Sequence, residues 1–455
     1  MIKLSPIGRR MPGARPCSLA LAGFLLMMGM TRPAAAQIPA VRQPAPLTLG
    51  DAIRRAAAGN LELRASRADT GFAQADLVGS RLRPNPSLAA EYLSSGDARV
   101  SLTQDLQLWG MRRYRIEAAR LGQERARYTA EDAARLVRRD VARTYRELLF
   151  QQERVALLDS LAQVNARISR VAKAAFEQGL GSELDSRLSY TIHQQSLLDR
   201  DVAAREADVQ QVELARLLGD SLTTRYRLTD SLPAAGLRFL TAAYTDTASS
   251  RPVRFDPSET GVDSLVRLAL ASRPDLRAAE ADVAAQQVSL AAARAAGKPT
   301  VAVGAIYGRS SDAVGLVKGA EVSKADNGVG VGLVVGLPFG NRNQGEVLRA
   351  RYAGEAAALR QDGLKQSLER DIRVALGGVA LASSKVETLR RIIIPSSQGA
   401  LRVAETAFGR GQANIFEVLQ VQRTYNENTS ALLEGMRELA TAMADLEAAV
   451  GAPVQ

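Results

Sequence analysis

The chain has 455 residues, of which 59 are Lys or Arg and 48 Asp or Glu, for a net charge of +11. Aromatic residues make up only 4%, and alanine, arginine, leucine and glutamate dominate, a composition that leans to long helices rather than to one compact globule. Residues 37–455 carry a net charge of only +6, which excludes the strong basic field of a nucleic-acid partner.

The excess charge sits at the N-terminus. Residues 1–36 hold Lys3, Arg9, Arg10, Arg15 and Arg32 and no acid. An apolar run from Leu19 to Met30 follows, and Ala34 and Ala36 precede Gln37. This order is that of a cleaved secretory signal peptide over 1–36. A membrane anchor is the competing reading, but 12 apolar residues fall short of the roughly 20 needed to span. The single cysteine, Cys17, precedes the apolar run instead of standing at the cleavage point, so a mature chain without lipid anchor or disulfide is expected. Thiolate metal sites and cysteine catalysis are excluded with it. No stretch of 18 apolar residues follows, so membrane contact would have to use strands or a surface helix.

The rest of the chain reads as two copies of one unit. At an offset of 213, Leu63 falls on Leu276, Asp69 on Asp282, Arg81 on Arg294 and Pro86 on Pro299. At offsets of 230 to 232, Gly110 falls on Gly340, Phe176 on Phe408 and Gly219 on Gly451. The copies cover 49–219 and 262–451, joined by a Ser-, Thr-, Asp- and Pro-containing segment over 220–261. Each begins with a 35-residue helical stretch, Leu49–Arg83 or Val262–Ala296, stopped by the prolines of "RPNPS" and "GKPT".

Two strands come next in each copy, about 87–108 and 300–337. In "VSLTQDLQL" Val100, Leu102, Leu106 and Leu108 share one face, and Ser101, Thr103, Asp105 and Gln107 share the other. In "GVGVGLVVGL" Val329, Val331, Leu333, Val335 and Leu337 oppose Gly328, Gly330, Gly332 and Gly336. Alternation over about ten residues suits a tilted membrane strand. A small soluble sheet would alternate too, yet no globular core is apparent for it to cover. "SSGD" at 94–97 and a longer loop at about 309–327 connect the partners.

A very long helical hairpin closes each copy: 112–178 and 182–218 in the first, 343–410 and 414–450 in the second. Leu161, Val164, Ile168, Val171 and Ala175 step by 3 and 4 residues, as in a coiled-coil seam. The two shorter helices of a copy together match the long one, so one uninterrupted helix would descend from the strands and two would cover the return. Gly179 and Gly411 are then expected as left-handed C-cap residues at the hairpin tip. Gly181 follows in the first turn, and Ser182 and Asn414 are expected N-caps, with Asp185 and Glu417 three residues on as in a capping box. The tip would lie roughly 100 Å from the strands.

The duplicated layout, "RPNPSLAAEY", "LQLWGMRRYRIEAAR" with its echo "LPFGNRNQG", and the paired F-x-x-G turns together resemble the TolC-like outer-membrane efflux proteins, nearest the CzcC/CusC-type members. The resemblance covers nearly all of 49–451. It implies a mainly α chain with a membrane β-barrel part, in which three copies form a 12-stranded barrel and a periplasmic helical tunnel. Four strands from one chain cannot close a barrel, and open edges are not tolerated in lipid, so oligomerisation also follows from the strand count. The implied partners are two further copies, outer-membrane lipid, a periplasmic adaptor and an inner-membrane RND-type pump, and the protein would be a passive exit duct. The residues at and after Gly179, Gly181, Ser182, Gly411 and Asn414 match the family's adaptor-contacting turns.

By the same match Asp185 and Glu417 are candidates to line the entrance, where acids favour cations; helix capping is the plainer role and is compatible with it. Gln420 stands where some members carry a second acid, which weakens a double-acid gate. Trp109 follows the second strand and suits either an aromatic belt or ordinary packing. Pro395 suits a kink or a break in the long helix. His193 is the sole histidine, and no metal site, cofactor or enzymatic constellation is expected. A soluble periplasmic coiled-coil adaptor is the alternative to a duct; its usual single hairpin flanked by split β-domains is not this duplicated order.

Overall fold

The computed structural model describes residues 45–92, 98–179, 181–230, 244–245, 252–253, 259–310, 326–410, 412–413 and 415–451. The expected signal peptide, the 94–97 turn, most of the 309–327 loop, much of the 220–261 segment, Gly411 and Asn414 lie outside the described residues. The first copy runs β1 (Ala45–Leu47), α1 (Leu49–Gly59), α2 (Leu61–Arg81), β2 (Ser87–Tyr92), β3 (Ala98–Leu106), α3 (Met111–Glu177) and α4 (Glu183–Leu218). Short strands β4 (Tyr226–Leu228), β5 (Tyr244–Thr245) and β6 (Pro252–Val253) follow. The second copy has α5 (Glu259–Ser272), α6 (Pro274–Ala296), β7 (Thr300–Ser310), β8 (Asp326–Gly336), α7 (Gln344–Thr388), a π-helical turn (Leu389–Ile393), α8 (Ile394–Gly409) and α9 (Ile415–Val450).

The opening 35-residue stretch is not one helix in either copy. In the first, Asn60 divides it: its Oδ1 accepts the Leu63 N–H at 2.9 Å as an N-cap, and its Nδ2 donates to the Leu217 carbonyl at 2.9 Å. The same side chain thus restarts one helix and satisfies the last turn of another. In the second copy Arg273 divides α5 from α6, with Pro274 opening the new helix. Arg273 is buried, donates to the Ala449 carbonyl at 3.2 Å and pairs with Asp275. Both corners dock on the C-terminus of a returning helix, and the first does so by backbone contact. Gly219 ends α4 with a φ of +74°, and a Cβ there would stand 2.1 Å from the Gly59 oxygen.

Two apolar cores mark these corners. One joins Leu47, Leu63, Val141, Tyr145, Leu148, Leu214 and Tyr226; the other joins Ala269, Leu368, Ile372, Leu439, Met443 and Val450. β1 pairs parallel with β4 over the first core, and the Gln211 amide extends the pairing by bonding both Tyr226 N–H and C=O, at 3.0 and 2.9 Å. The Tyr145 hydroxyl donates to Asp230 at 2.8 Å, and that carboxylate also accepts the Leu49 N–H at 2.9 Å.

α3 is the spine. At about 1.5 Å per residue its 67 residues span roughly 100 Å. Towards the strands the neighbours follow in the order α2, α3, α6, α7; towards the tip the order is α4, α3, α9, α7–α8. The seam between α3 and α4 lies one residue away from its expected place. Ala162, Ser169 and Ala172 are buried, and Asn165 donates to the Ser196 hydroxyl at 2.6 Å, whereas Val171 is 60% exposed. Small side chains allow the two helices to approach closely, so the larger Leu161–Val171 set is left on an adjoining face. The second long helix is continuous through Pro395, but its distortion comes one turn earlier. The Ile394 N–H reaches back to the Leu389 carbonyl, the wide i→i−5 step that accommodates a proline lacking its own donor.

Candidate functional site

The four strands β2, β3, β7 and β8 form one antiparallel sheet in that order. Its register decides what each face carries. Leu88 opposes Leu102, Leu102 opposes Ala305, and Ala305 opposes Val331. One row beyond, Ala90, Val100, Tyr307 and Val329 line up in the same way. In these rows one face is apolar across all four strands and largely uncovered, with Val331 85% exposed; Gln104 and Arg309 are the polar residues on the same face of the two central strands. The opposite face carries Glu91 against Arg99, then Ser101, Thr103 and Asp105, and beyond them a glycine-rich field of Gly304, Gly308, Gly328, Gly330, Gly332 and Gly336, interrupted by Ala302, Ile306 and Val334. Among the described residues β2 and β8 are both unpaired edges of the sheet. Two wet faces would not select such a pattern; it suits lipid on one side and a lumen on the other.

The junction beneath the sheet is tied by residues of both copies. Trp109 and Gly110 have φ of +59° and +82°, which reverses the chain from β3 into α3. The Trp109 indole donates to the Pro299 carbonyl at 2.7 Å, and Lys298 Nζ stands 5.3 Å from its ring. Trp109 thus pins the start of one copy's long helix to the start of the other copy's strand, while remaining half-exposed. Arg115 donates to the Leu82 carbonyl at 2.8 Å and Arg112 to that of Arg81 at 2.9 Å, closing the open end of α2. In the second copy the left-handed N-cap is Asn343, with φ +64°, not the glycine aligned with Gly110. Its side chain donates to the Ala293 carbonyl at 2.8 Å. Asparagine tolerates this conformation, which is the signal the "GNRNQG" run carries.

At the far end, the two glycines of the first tip do different work. Gly179 has φ +72°, with open space around a would-be Cβ, so its requirement is conformational. Gly181 lies against the last turn of α3: a Cβ there would stand 3.0 Å from the Ala175 Cβ and 3.3 Å from backbone. Ser182 is the N-cap of α4 and accepts the Leu184 N–H at 3.1 Å. Asp185 is half-buried in the first turn, and Glu183 pairs with Arg187 at 2.7 Å. In the second tip Arg410 and Gln412 donate to the Ala407 carbonyl, at 3.2 and 2.9 Å. Glu417 and Gln420 occupy the first turns of α9, both exposed. Phe176, Leu184, Phe408 and Phe416 are exposed around the tips. Asp185 and Glu417 hold corresponding places on separate hairpins. His193 lies on α4, half-buried, with no second histidine in the chain. Among the described residues no group of three or more His, Cys, Asp or Glu is placed to hold a metal, and no helix is long and apolar enough to cross a membrane.

A four-stranded sheet with one largely apolar, uncovered face is thus combined with helices roughly 100 Å long. Residues 265–452 match the family model described as outer membrane efflux protein. Over 384 residues, 83% of this chain and 84% of the relative, the sequence is 24% identical to the cobalt-zinc-cadmium resistance protein CzcC of Cupriavidus metallidurans. A membrane protein from Pseudomonas aeruginosa superposes with a TM-score of 0.72 at 20% identity, covering 89% of this chain and 92% of that one. The outer membrane protein VceC of Vibrio cholerae does so with a TM-score of 0.68 at 17% identity, covering 90% and 97%. Over most of its length the chain is thus similar to outer-membrane efflux proteins.

Proposed function

We propose that three copies of the chain close a 12-stranded barrel over a continuous helical tunnel and serve as the passive exit duct of a tripartite efflux system. The observation that carries this is the sheet: an uncovered apolar face across four strands, flanked by two unpaired edges. In lipid each edge amide must find a partner, and β8 of one copy against β2 of the next supplies it. A soluble adaptor has no use for such a face.

The helices support the same arrangement. Leu184, Leu198 and Val202 stand uncovered along α4, and Tyr352, Leu359, Val374, Leu381 and Ile392 along α7 and the turn after it. These are the two outer members of the tip-ward helix order, so each copy offers both halves of one contact. Their charges are complementary: α4 carries seven acids and four arginines, while residues 344–409 carry ten cations and seven acids.

Substrate would arrive from an inner-membrane pump through a periplasmic adaptor docked on the tips. Gly179, Gly181, Ser182, Gly411 and Asn414 would shape the docking turns, and Asp185, Glu417 and Gln420 would line the entrance. The relative's name points to metal cations as one cargo class, selected by the pump and not by this chain. The test is fractionation of the expressed full chain, followed by planar-bilayer recording. A heat-modifiable trimer in the outer-membrane fraction that conducts ions supports the duct; a water-soluble periplasmic monomer refutes it.

A further inference from the structure

A cleft of about 750 Å³ opens midway along the hairpins, between α4 and α9 with α3 as its floor. Its polar walls hold Glu147, Asp199, Glu206 and Glu434 against only Arg154 and Arg437. Leu158, Val209 and Leu433 supply an apolar side. The terminal nitrogens of the two arginines are already engaged: Arg154 pairs with Glu206 at 2.6 Å, and Arg437 with Glu147 at 3.3 Å and Glu434 at 3.1 Å, above the Phe150 ring, while Arg437 Nε is a buried donor without a partner among the described residues. The wall therefore keeps an excess of two negative charges.

A second, independent feature lies in the floor. Gln151 is only 7% exposed; its Nε2 donates to Glu147 at 3.1 Å, and its Oε1 has no hydrogen-bond partner among the described residues. An unpaired buried acceptor costs of the order of 1–3 kcal/mol unless a donor is brought to it. Turning the amide over would set oxygen against the Glu147 carboxylate, so the missing group is a donor.

The position of the cleft follows from helix phase. At about 100° per residue, Glu147, Gln151, Arg154 and Leu158 lie roughly half a turn from Tyr145 and Leu149. Tyr145 and Leu149 pack against the α1, β1 and β4 layer. Three copies of that extra layer can only sit outside a tunnel that stays open, so the cleft looks into the lumen.

The geometry points to this cleft as a way-station on the tunnel wall for amphipathic organic cations: amines or guanidines with an apolar body. The cationic N–H groups meet Gln151 Oε1 and the surplus carboxylates, and the apolar body lies over Leu158, Val209 and Leu433. Its volume suits a drug-sized molecule. The inference rests on the duct reading, since cargo must pass the wall to meet it.

The test uses the purified full-length trimer in detergent, with rhodamine 6G as cationic probe and fluorescein as its anionic counterpart, read by fluorescence anisotropy. Conductance in planar bilayers is recorded for every sample. Saturable binding of rhodamine 6G is expected, with none of fluorescein. Glu206→Gln and Gln151→Leu should each weaken binding at least about tenfold while conductance is retained. Glu206→Gln preserves shape, so a folding defect in Gln151→Leu leaves the outcome readable. No saturable binding by the conducting parent protein, or equal binding by both variants, overturns the way-station. A protein that binds the dye but does not conduct would instead remove the duct.

Discussion

Two glycines with the same left-handed backbone offer a controlled comparison. Gly179 and Gly219 have φ of +72° and +74°, but the first has open space around a Cβ and the second has the Gly59 oxygen 2.1 Å away. Alanine at Gly179 adds only the conformational cost, about 1–2 kcal/mol. Alanine at Gly219 adds that cost and an overlap with a backbone carbonyl fixed in a helix corner. Relief requires moving the corner, and overpacking of this kind costs about 1–3 kcal/mol more. Gly451 lies between: its φ is +78°, and a Cβ would stand 2.8 Å from the Arg273 side chain, which can yield in part. The predicted order of stability is Gly179→Ala, then Gly451→Ala, then Gly219→Ala. Thermal melts followed by circular dichroism in detergent read it, at about 1 °C per kcal/mol from average unfolding entropies for a chain of this length. A Gly219→Ala protein that melts with or above Gly179→Ala would refute the corner contact.

Further outcomes follow from the sheet, the second corner and the tips. Val331→Arg, on the apolar face, should cost about 2–4 kcal/mol at mid-bilayer and deplete the protein from the outer membrane, while Ser101→Arg on the other face should be inserted normally; equal insertion of both counts against the face assignment. Burial alone would raise the Asp275 pKa, but its bond to Arg273 and the charges of Arg273 and Arg135 outweigh burial and hold it below the ordinary carboxylate value. Its stabilising contribution is thus present above about pH 4, the unfolded value, and is lost as pH falls through the lower folded value. Asp275→Asn should cost about 3 kcal/mol at pH 7, near the low end for a broken buried pair because Asp132 and Asp371 also face Arg273. The deficit relative to the parent protein should shrink in melts below pH 4; a constant deficit would refute the linkage. Asp185→Asn with Glu417→Gln should lower the cation preference of single-channel currents, and unchanged reversal potentials would remove both from the entrance.

Period-two alternation around Val100 and Val331 made the strands readable, because a membrane strand exposes opposite chemistries on its two faces. The turn at Gly179 was readable for a related reason: a long helical pattern stops only where glycine permits it. What escaped the sequence was decided by contacts between distant segments. Asn60 restarts a helix because it also reaches the Leu217 carbonyl, and no local pattern records that partner. The α3–α4 seam lies on Ala162, Ser169 and Ala172 because close approach outweighs apolar area there, whereas a search for large apolar residues selects the adjoining stripe. Pro395 announced a distortion, but the wide turn that absorbs it lies upstream, since the carbonyl it leaves unpaired belongs to the preceding turn. The mid-tunnel cleft was hidden because each of its three walls, taken alone, reads as an ordinary solvated helix face.

The most direct measurement concerns the two sheet edges. One cysteine placed on β2 and one on β8, scanned over the facing positions, gives a two-cysteine protein once Cys17 is replaced by serine. Oxidation in intact outer membranes should yield a covalent trimer at matched positions and not at positions shifted by one residue. Monomers at all positions, or links formed only within one chain, would contradict barrel closure by three copies.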